Sequence, residues 1–169
     1  MREIMAFERP DGRVGLRNHV VVISMVSCSN TVVNRIAQAT GVIPITHEHG
    51  CVEFDEDHRR TKLALVSAGT SPNVYGVLLV GLGCEQTSLS DVKKAVESSG
   101  KPVEGILIQQ EGGSPEAEAR GTGIVKKFQA EAEAQERVPC GADGLVVGVQ
   151  CGGSDWTTAV AGNTVIGAM

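Results

Sequence analysis

Short apolar runs alternate with segments of helical periodicity along most of the chain. The first run, His19–Val26, is almost continuously apolar and β-branched, which is typical of a strand buried on both faces of a parallel sheet. Segments with apolar residues at helical spacing follow the runs and end at glycine, proline or polar turns. The pattern predicts strands at His19–Val26, Val42–Thr46, Gly76–Val80, Val103–Gln109 and Leu145–Val149. It predicts helices at Ser29–Thr40, Asp55–Ala68, Leu89–Ser99 and Pro115–Arg137, and leaves open a break in the last helix at Gly121-Thr122-Gly123.

Strands that alternate with helices predict an α/β fold of three layers, with a mainly parallel sheet of about five strands and helices on both faces. The 169 residues fit one domain of ordinary size. Residues 1–18 are polar and turn-rich, and we expect them to form an N-terminal segment that leads into an α/β domain at residues 19–169.

The composition indicates which partners and which cellular compartment to expect. The formal net charge is −5 and no Lys/Arg cluster is present, which argues against nucleic acid as a partner. No apolar run approaches the ~18 residues of a membrane span, and no secretory signal follows the first charges. We therefore expect a cytoplasmic protein without a membrane partner, whose five cysteines are thiols, ligands or core residues rather than disulfides.

Chemically active residues follow the predicted strands. Ligands of parallel α/β sheets bind beyond the carboxyl ends of the strands, and glycine there lets the backbone approach a ligand closely. The segments at these positions are Ser27-Cys28-Ser29-Asn30, His47-Glu48-His49-Gly50-Cys51, Gly81-Leu82-Gly83-Cys84-Glu85, Gln110-Glu111-Gly112-Gly113-Ser114 and Cys151-Gly152-Gly153-Ser154-Asp155. We therefore expect Cys28, Cys51, Cys84 and Cys151 to share one pocket, with Cys140 outside it.

The residue types at this edge suit a transition metal. Imidazole, thiolate and carboxylate groups are ligands of first-row metals, and His47, His49 and Cys51 alternate so that an extended chain would present them on one face. No C-x-x-C pair is present, which argues against a structural zinc site. A thiol-dependent enzyme without metal remains an alternative.

Five blocks, taken together, resemble a known family. They are Asp11–Asn18 (DGRVGLRN), Ser27–Asn30 (SCSN), His47–Cys51 (HEHGC), Gly81–Glu85 (GLGCE) and Cys151–Asp155 (CGGSD), in this order. The chain is similar over nearly its whole length to the catalytic portion of the altronate dehydratase and galactarate dehydratase family, which includes sulfolactate sulfo-lyase large subunits. The resemblance implies an Fe(II)- or Mn(II)-dependent lyase that removes water from a sugar acid to give a 2-keto-3-deoxy acid.

The resemblance also implies roles for particular residues. The metal ligands would be Cys28, Cys51, Cys84 and Cys151. The catalytic groups would be His47 or His49, as the base, together with Glu85. The sugar acid would be bound by Arg13, Arg17, Asn18, Ser154 and Asp155.

Members of this family carry a small partner domain, fused or separate, and continue beyond the position of Met169. The resemblance therefore implies that the chain is the first half of a longer catalytic subunit, inactive alone, which acts with a C-terminal half and forms a homo-oligomer. One departure is Gly162-Asn163-Thr164, which stands where the family has Ala-Asn-Pro. This departure leaves open a non-catalytic or assembly domain of the same fold, and a sulfolactate sulfo-lyase-like subunit is a further alternative.

Overall fold

The computed structural model describes residues 3–150, 153 and 155–168. The strands are β1 (Glu3–Glu8), β2 (Val14–Gly15), β3 (His19–Ser24), β4 (Ile43–Ile45), β5 (Val74–Gly81), β6 (Val103–Leu107) and β7 (Val138–Gly141). The α-helices are α1 (Asn30–Thr40), α2 (Asp55–Thr70), α3 (Leu89–Glu97), α4 (Ile108–Glu111), α5 (Ser114–Glu133) and α6 (Asn163–Ala168). None of these helices is long and apolar enough to cross a membrane.

Four strands form a parallel sheet in the order β4-β3-β5-β6. Side chains alternate between its two faces, so Val20 and Val22 join one apolar cluster while Val21 and Ile23 join the other. Helices α1 and α5 cover the first face, and α2 and α3 cover the second. This arrangement confirms the predicted three-layer α/β fold with a mainly parallel sheet.

Residues of the N-terminal segment form strands. β1 pairs antiparallel with β2 and with β7, and the three make a second small sheet. Ala6, Val14 and Cys140 form its buried cluster. Cys140 is therefore a core residue of the small sheet, apart from the cysteines that follow the parallel strands.

The predicted strand at Leu145–Val149 is wrong, because only Leu145 makes a bridge, to Val14. Val146, Val147 and Val149 are exposed. A new parallel strand needs a crossover of about a dozen residues. β7 instead pairs with β1 directly after α5, and only Ala142–Gly144 separate it from Leu145. The parallel sheet in the described residues accordingly has four strands.

Helix α5 continues without a break through Gly121 and Gly123, where the sequence suggested a possible interruption. A Cβ on Gly121 would lie 2.5 Å from Ile36 Cδ1, so glycine there lets the helix approach α1 and the sheet. A Cβ on Gly123 would meet nothing within 4 Å. The two positions thus test packing and helix propensity separately.

We expect Gly121→Ala to lower the free energy of unfolding by about 1–3 kcal/mol, because the methyl group overpacks the core. Gly123→Ala should raise it by about 1 kcal/mol, because alanine is the better helix former. Urea unfolding of both variants checks the pair, and changes of the same sign would contradict the packing described for α5.

Candidate functional site

Three loops meet at the carboxyl edge of the parallel sheet, and each carries one exposed cysteine. Cys28 lies in the 3-10 turn Ser27–Ser29 after β3, Cys51 lies in the loop after β4, and Cys84 follows β5. None of the three is in a disulfide. The register of the strands brings these loops side by side.

Two hydrogen bonds hold the loop of Cys51 against the loop of Cys28. Ser27 N donates to His49 O at 2.9 Å, and Asn30 Nδ2 donates to His47 O at 2.9 Å. Gly50 has φ +108°, and a Cβ there would lie 2.8 Å from Met25 O. Only glycine permits this approach, which places Cys28 and Cys51 next to each other.

Gln86 fastens the same loop to the loop of Cys84. Its backbone N–H donates to Gly50 O at 3.0 Å. Its side-chain amide accepts from Glu53 N at 2.8 Å and donates to Glu53 O at 3.0 Å. Sequence reasoning missed Gln86, although it directly follows the GLGCE block.

Two buried serines also fix the loop after β3. Ser29 Oγ donates to Val80 O at 2.8 Å and lies 2.7 Å from Ser24 Oγ, and both residues are fully buried. A buried hydroxyl stabilises the fold only when it is hydrogen-bonded. Ser29 of the SCSN block therefore ties the loop of Cys28 to β5.

The thiols interact with one another. Interaction with the Cys28 thiol raises the pKa of Cys51, and desolvation and the nearby Cys84 and Glu85 act in the same direction. Three of the four predicted metal ligands and one predicted catalytic group therefore lie together. Cys151 lies outside the described residues.

Glu85 also holds its own loop in shape. Its Oε2 accepts from Gly83 N at 2.7 Å and from Leu82 N at 3.1 Å. A Cβ on Gly81 would lie 2.1 Å from Glu85 Oε1, so the carboxylate occupies space that only glycine leaves. The structure thus gives Glu85 a loop-ordering role, and its catalytic role stays a prediction.

The two histidines of the HEHGC block differ in freedom. His47 Nε2 lies 2.9 Å from Ser24 O, and His47 Nδ1 accepts from His49 N at 3.2 Å. A carbonyl only accepts, so His47 carries its proton on Nε2 and has both ring nitrogens engaged. His49 is exposed and lines a pocket of about 380 Å³ with Glu53, Phe54 and Arg60. The His49 residue is thus accessible to a molecule in this pocket, and its role as the base stays a prediction.

The predicted substrate residues of the DGRVGLRN block lie elsewhere. Arg13 is ion-paired with Asp11 and donates to Thr70 O at 2.7 Å. Arg17 N donates to Asn73 Oδ1 at 3.0 Å, and Asn18 Nδ2 donates to Ala132 O at 2.9 Å. All these contacts are at the amino edge of the sheet, and the length of β3, roughly 16 Å, separates them from the thiols. The structure does not bring Arg13, Arg17 and Asn18 to the cysteine cluster.

Asp155 lies in the segment before the last helices. Its Oδ1 accepts from Thr157 N at 2.8 Å, and hydrogen bonds from Thr157 lower the pKa of the carboxyl. The exposed carboxylate thus caps the turn that follows it. Ser154 lies outside the described residues, so this structure does not place the pair together.

The donor set suits a metal in kind but does not complete a site. Thiolates bind iron and zinc well, whereas manganese prefers oxygen ligands. In the part of the chain that the structure describes, no three His, Cys, Asp or Glu side chains are arranged to hold one ion. Cys28, Cys51 and Cys84 therefore do not form a complete metal site among the described residues.

Comparisons with known proteins agree on one family. Residues 6–133 match the model described as D-galactarate dehydratase/Altronate hydrolase, second domain. The chain is 30% identical over 178 residues to altronate dehydratase of Bacillus subtilis, a match that covers 98% of the chain and 35% of that relative. It is 32% identical over 170 residues to the (2R)-sulfolactate sulfo-lyase subunit beta of Chromohalobacter salexigens, covering 98% of the chain and 42% of the relative. It is 28% identical over 178 residues to altronate dehydratase of Escherichia coli, a match that covers 98% of the chain and 35% of that relative.

No solved structure matches the chain. The chain thus spans 35–42% of the length of these curated relatives.

Proposed function

Because the chain belongs to the D-galactarate dehydratase and altronate hydrolase family, we propose that it forms part of a lyase that removes water from a sugar acid. The relatives are dehydratases and a sulfo-lyase, so lyase chemistry is what this family shares. The observation that carries the proposal is the convergence of Cys28, Cys51, Cys84 and Glu85 at the carboxyl edge of the sheet.

The proposed reaction has two bond changes. A base removes the proton from the carbon next to the substrate carboxylate, and the hydroxyl on the following carbon leaves as water after protonation. The enol that results becomes a 2-keto-3-deoxy acid by moving one proton. The difficult step is the first, because negative charge develops on the carboxylate oxygens and must be stabilised.

Cys28, Cys51 and Cys84 would hold a divalent metal together with Cys151. A bound metal would supply Lewis acidity toward the substrate oxygens. Of the two candidates, Fe(II) and Mn(II), three thiol donors favour iron. Thiol ligands also predict that activity needs reductant and is lost in oxygen.

His49 is the proposed base, since it is exposed and lines a pocket. Arg60 lines the same pocket and would exchange its exposed ion pair with Glu56 for the substrate carboxylate, in place of Arg13 and Arg17. Glu85 would keep the GLGCE loop in place through its two backbone contacts. Ser154 and Asp155 would orient substrate hydroxyls.

The sulfo-lyase is a second candidate, favoured by the 32% identity to the sulfolactate relative. That reaction would differ only in the leaving group, which is sulfite in place of water. The proton removal and its stabilisation would be the same, so the same residues would serve both. The non-catalytic alternative is a domain that only supports assembly of the enzyme.

Because the relatives are longer, we propose that sequence following this chain completes the site, with a small partner domain and a homo-oligomeric assembly. The exposed apolar residues Val146, Val147 and Val149 are consistent with such an addition, since monomeric surfaces rarely expose large apolar patches.

The deciding experiment uses the full-length gene product, purified without oxygen and loaded with Fe(II) or Mn(II). We expect altronate or galactarate to give a 2-keto-3-deoxy acid, detected by its reaction with semicarbazide, and a chelator to abolish the signal. Sulfite release from sulfolactate would select the second candidate. Turnover that survives the chelator but not thiol alkylation would reject the metal, and no turnover of any of these acids would reject the lyase.

A further inference from the structure

Two buried cations line a cavity at the amino edge of the parallel sheet, on the side opposite to the thiols. The cavity has a volume of about 530 Å³, and its lining includes Glu8, Arg9, Tyr75 and Lys101. Arg9 is 6% exposed and Lys101 is 5% exposed, which is unusual for either residue type. None of the roles proposed above uses this cavity.

Both cations are anchored on the turn that follows α2. Arg9 Nε donates to Pro72 O at 2.7 Å, and its Nη2 donates to Arg17 O and Asn18 Oδ1. Lys101 Nζ donates to Ser71 O and Val74 O. In the described part of the chain Arg9 Nη1 has no hydrogen-bond partner, so the anchoring leaves this nitrogen available.

Among the described residues no ion pair balances the two positive charges, and the one carboxylate in the cavity lining, that of Glu8, is exposed to solvent. In residues 3–150, 153 and 155–168, no carboxylate oxygen lies within 4.0 Å of either cation. Asp11 is paired with Arg13, and Glu131 with Tyr75 and Lys127. The carbonyls at the end of a helix supply about half a negative charge, against two full positive charges here.

Lys101 responds as a buried cation without a counter-ion does. Burial, with added repulsion from Arg9 and Arg13, lowers the pKa of Lys101 to about 8, although Asp11 acts in the opposite direction. An anion beside the ammonium would reverse this effect. Buried charges are ordinarily paired, so the pair of cations calls for a negative partner.

We propose that this cavity binds a small anion of the carboxylate or phosphate class, held between the Arg9 guanidinium and the Lys101 ammonium. The free Nη1 of Arg9 can donate to an oxygen of either group, and the Lys101 ammonium adds a compact charge. The volume lies within the range of small-ligand pockets. This site is separate from the proposed lyase site, and its test does not depend on that function.

The test measures protection of Lys101 in the unaltered protein. Acetic anhydride modifies neutral amines, and peptide mass spectrometry reports the rate at each lysine. We titrate inorganic phosphate and, separately, succinate, each against sodium chloride at equal ionic strength. Modification of Lys101 should fall about tenfold at an anion concentration ten times the dissociation constant. Exposed Lys126 should be modified as fast as in chloride.

Protection by either anion supports the site, and the effective one identifies the class of ligand. Protection no greater than in chloride overturns it, and Lys101 then only caps α2. Arg9→Gln should weaken saturable protection at least tenfold, whereas the surface variant Arg35→Gln should leave it unchanged. Unweakened protection in a folded Arg9→Gln would also overturn the assignment. If that variant does not fold, the titration of the unaltered protein still decides.

Discussion

Replacing Cys84 by serine in the full-length gene product is expected to remove the metal and to lower turnover by more than about 100-fold. Loss of a group that merely orients a ligand costs 10–100-fold in metal affinity or activity, so loss of a ligand should cost at least as much. A serine hydroxyl does not ionise to replace a thiolate. Cys84 is exposed, so the change should alter the free energy of unfolding by less than about 0.5 kcal/mol.

The measurement is iron and manganese per subunit after anaerobic purification, together with the rate of keto-acid formation. Cys140→Ala is the matched control, because Cys140 is buried in the small sheet with Ala6 and Val14. It should lower stability by about 1 kcal/mol and leave the metal content unchanged. Full metal content in Cys84→Ser would reject the assignment of the thiol to the metal, whatever happens to the rate.

The layers of the fold could be predicted because short apolar runs, typical of buried strands, alternate along the chain with segments of helical periodicity. The run His19–Val26 gives the observed β3 within two residues at its end, and the acidic start of Asp55–Ala68 gives the beginning of α2. Leu145–Val149 has the same apolar pattern and yet forms no strand. The residues just before it form β7, which pairs with β1 at the other end of the chain. Periodicity along the sequence cannot reveal such a long-range pairing.

The candidate site could be predicted in outline, since parallel strands deliver their following loops to one edge. This rule is enough to bring Cys28, Cys51 and Cys84 together. It cannot say that Arg13 and Arg17 lie before β3, at the opposite edge, although they stand in a block characteristic of the family. A motif shows that residues matter, while only the direction of the chain through the sheet shows which of them can meet.

Sequence reasoning also could not distinguish the two histidines. His47 and His49 lie two residues apart in the loop after β4, and their rings stack with centroids 6.1 Å apart. The difference arises from Ser24 O, which accepts a hydrogen bond from His47 Nε2–H, and from the His49 backbone N–H, which donates to His47 Nδ1. Both contacts are made by backbone groups, so the residue types in the sequence do not indicate them.

Substituting the two histidines one at a time should therefore affect different properties, kcat for one and stability for the other. His49→Asn is expected to lower kcat by about 10²–10⁴-fold, the usual contribution of a general base, with little change in stability. His47→Asn is expected to lower the free energy of unfolding by about 1–3 kcal/mol, since buried partners such as Ser24 O lose their hydrogen bond. Asparagine suits both positions because it is polar but does not titrate near neutral pH.

Exchange of the substrate proton in heavy water separates these roles. A base returns solvent deuterium to the carbon next to the carboxylate, so His49→Asn should lose this exchange along with turnover. His47→Asn should retain exchange and turnover at temperatures where urea unfolding shows it to be folded. Undiminished exchange in His49→Asn would remove it as the base. Loss of exchange in a fully folded His47→Asn would transfer the role to His47, and its ring would then have to leave Ser24 O when substrate binds.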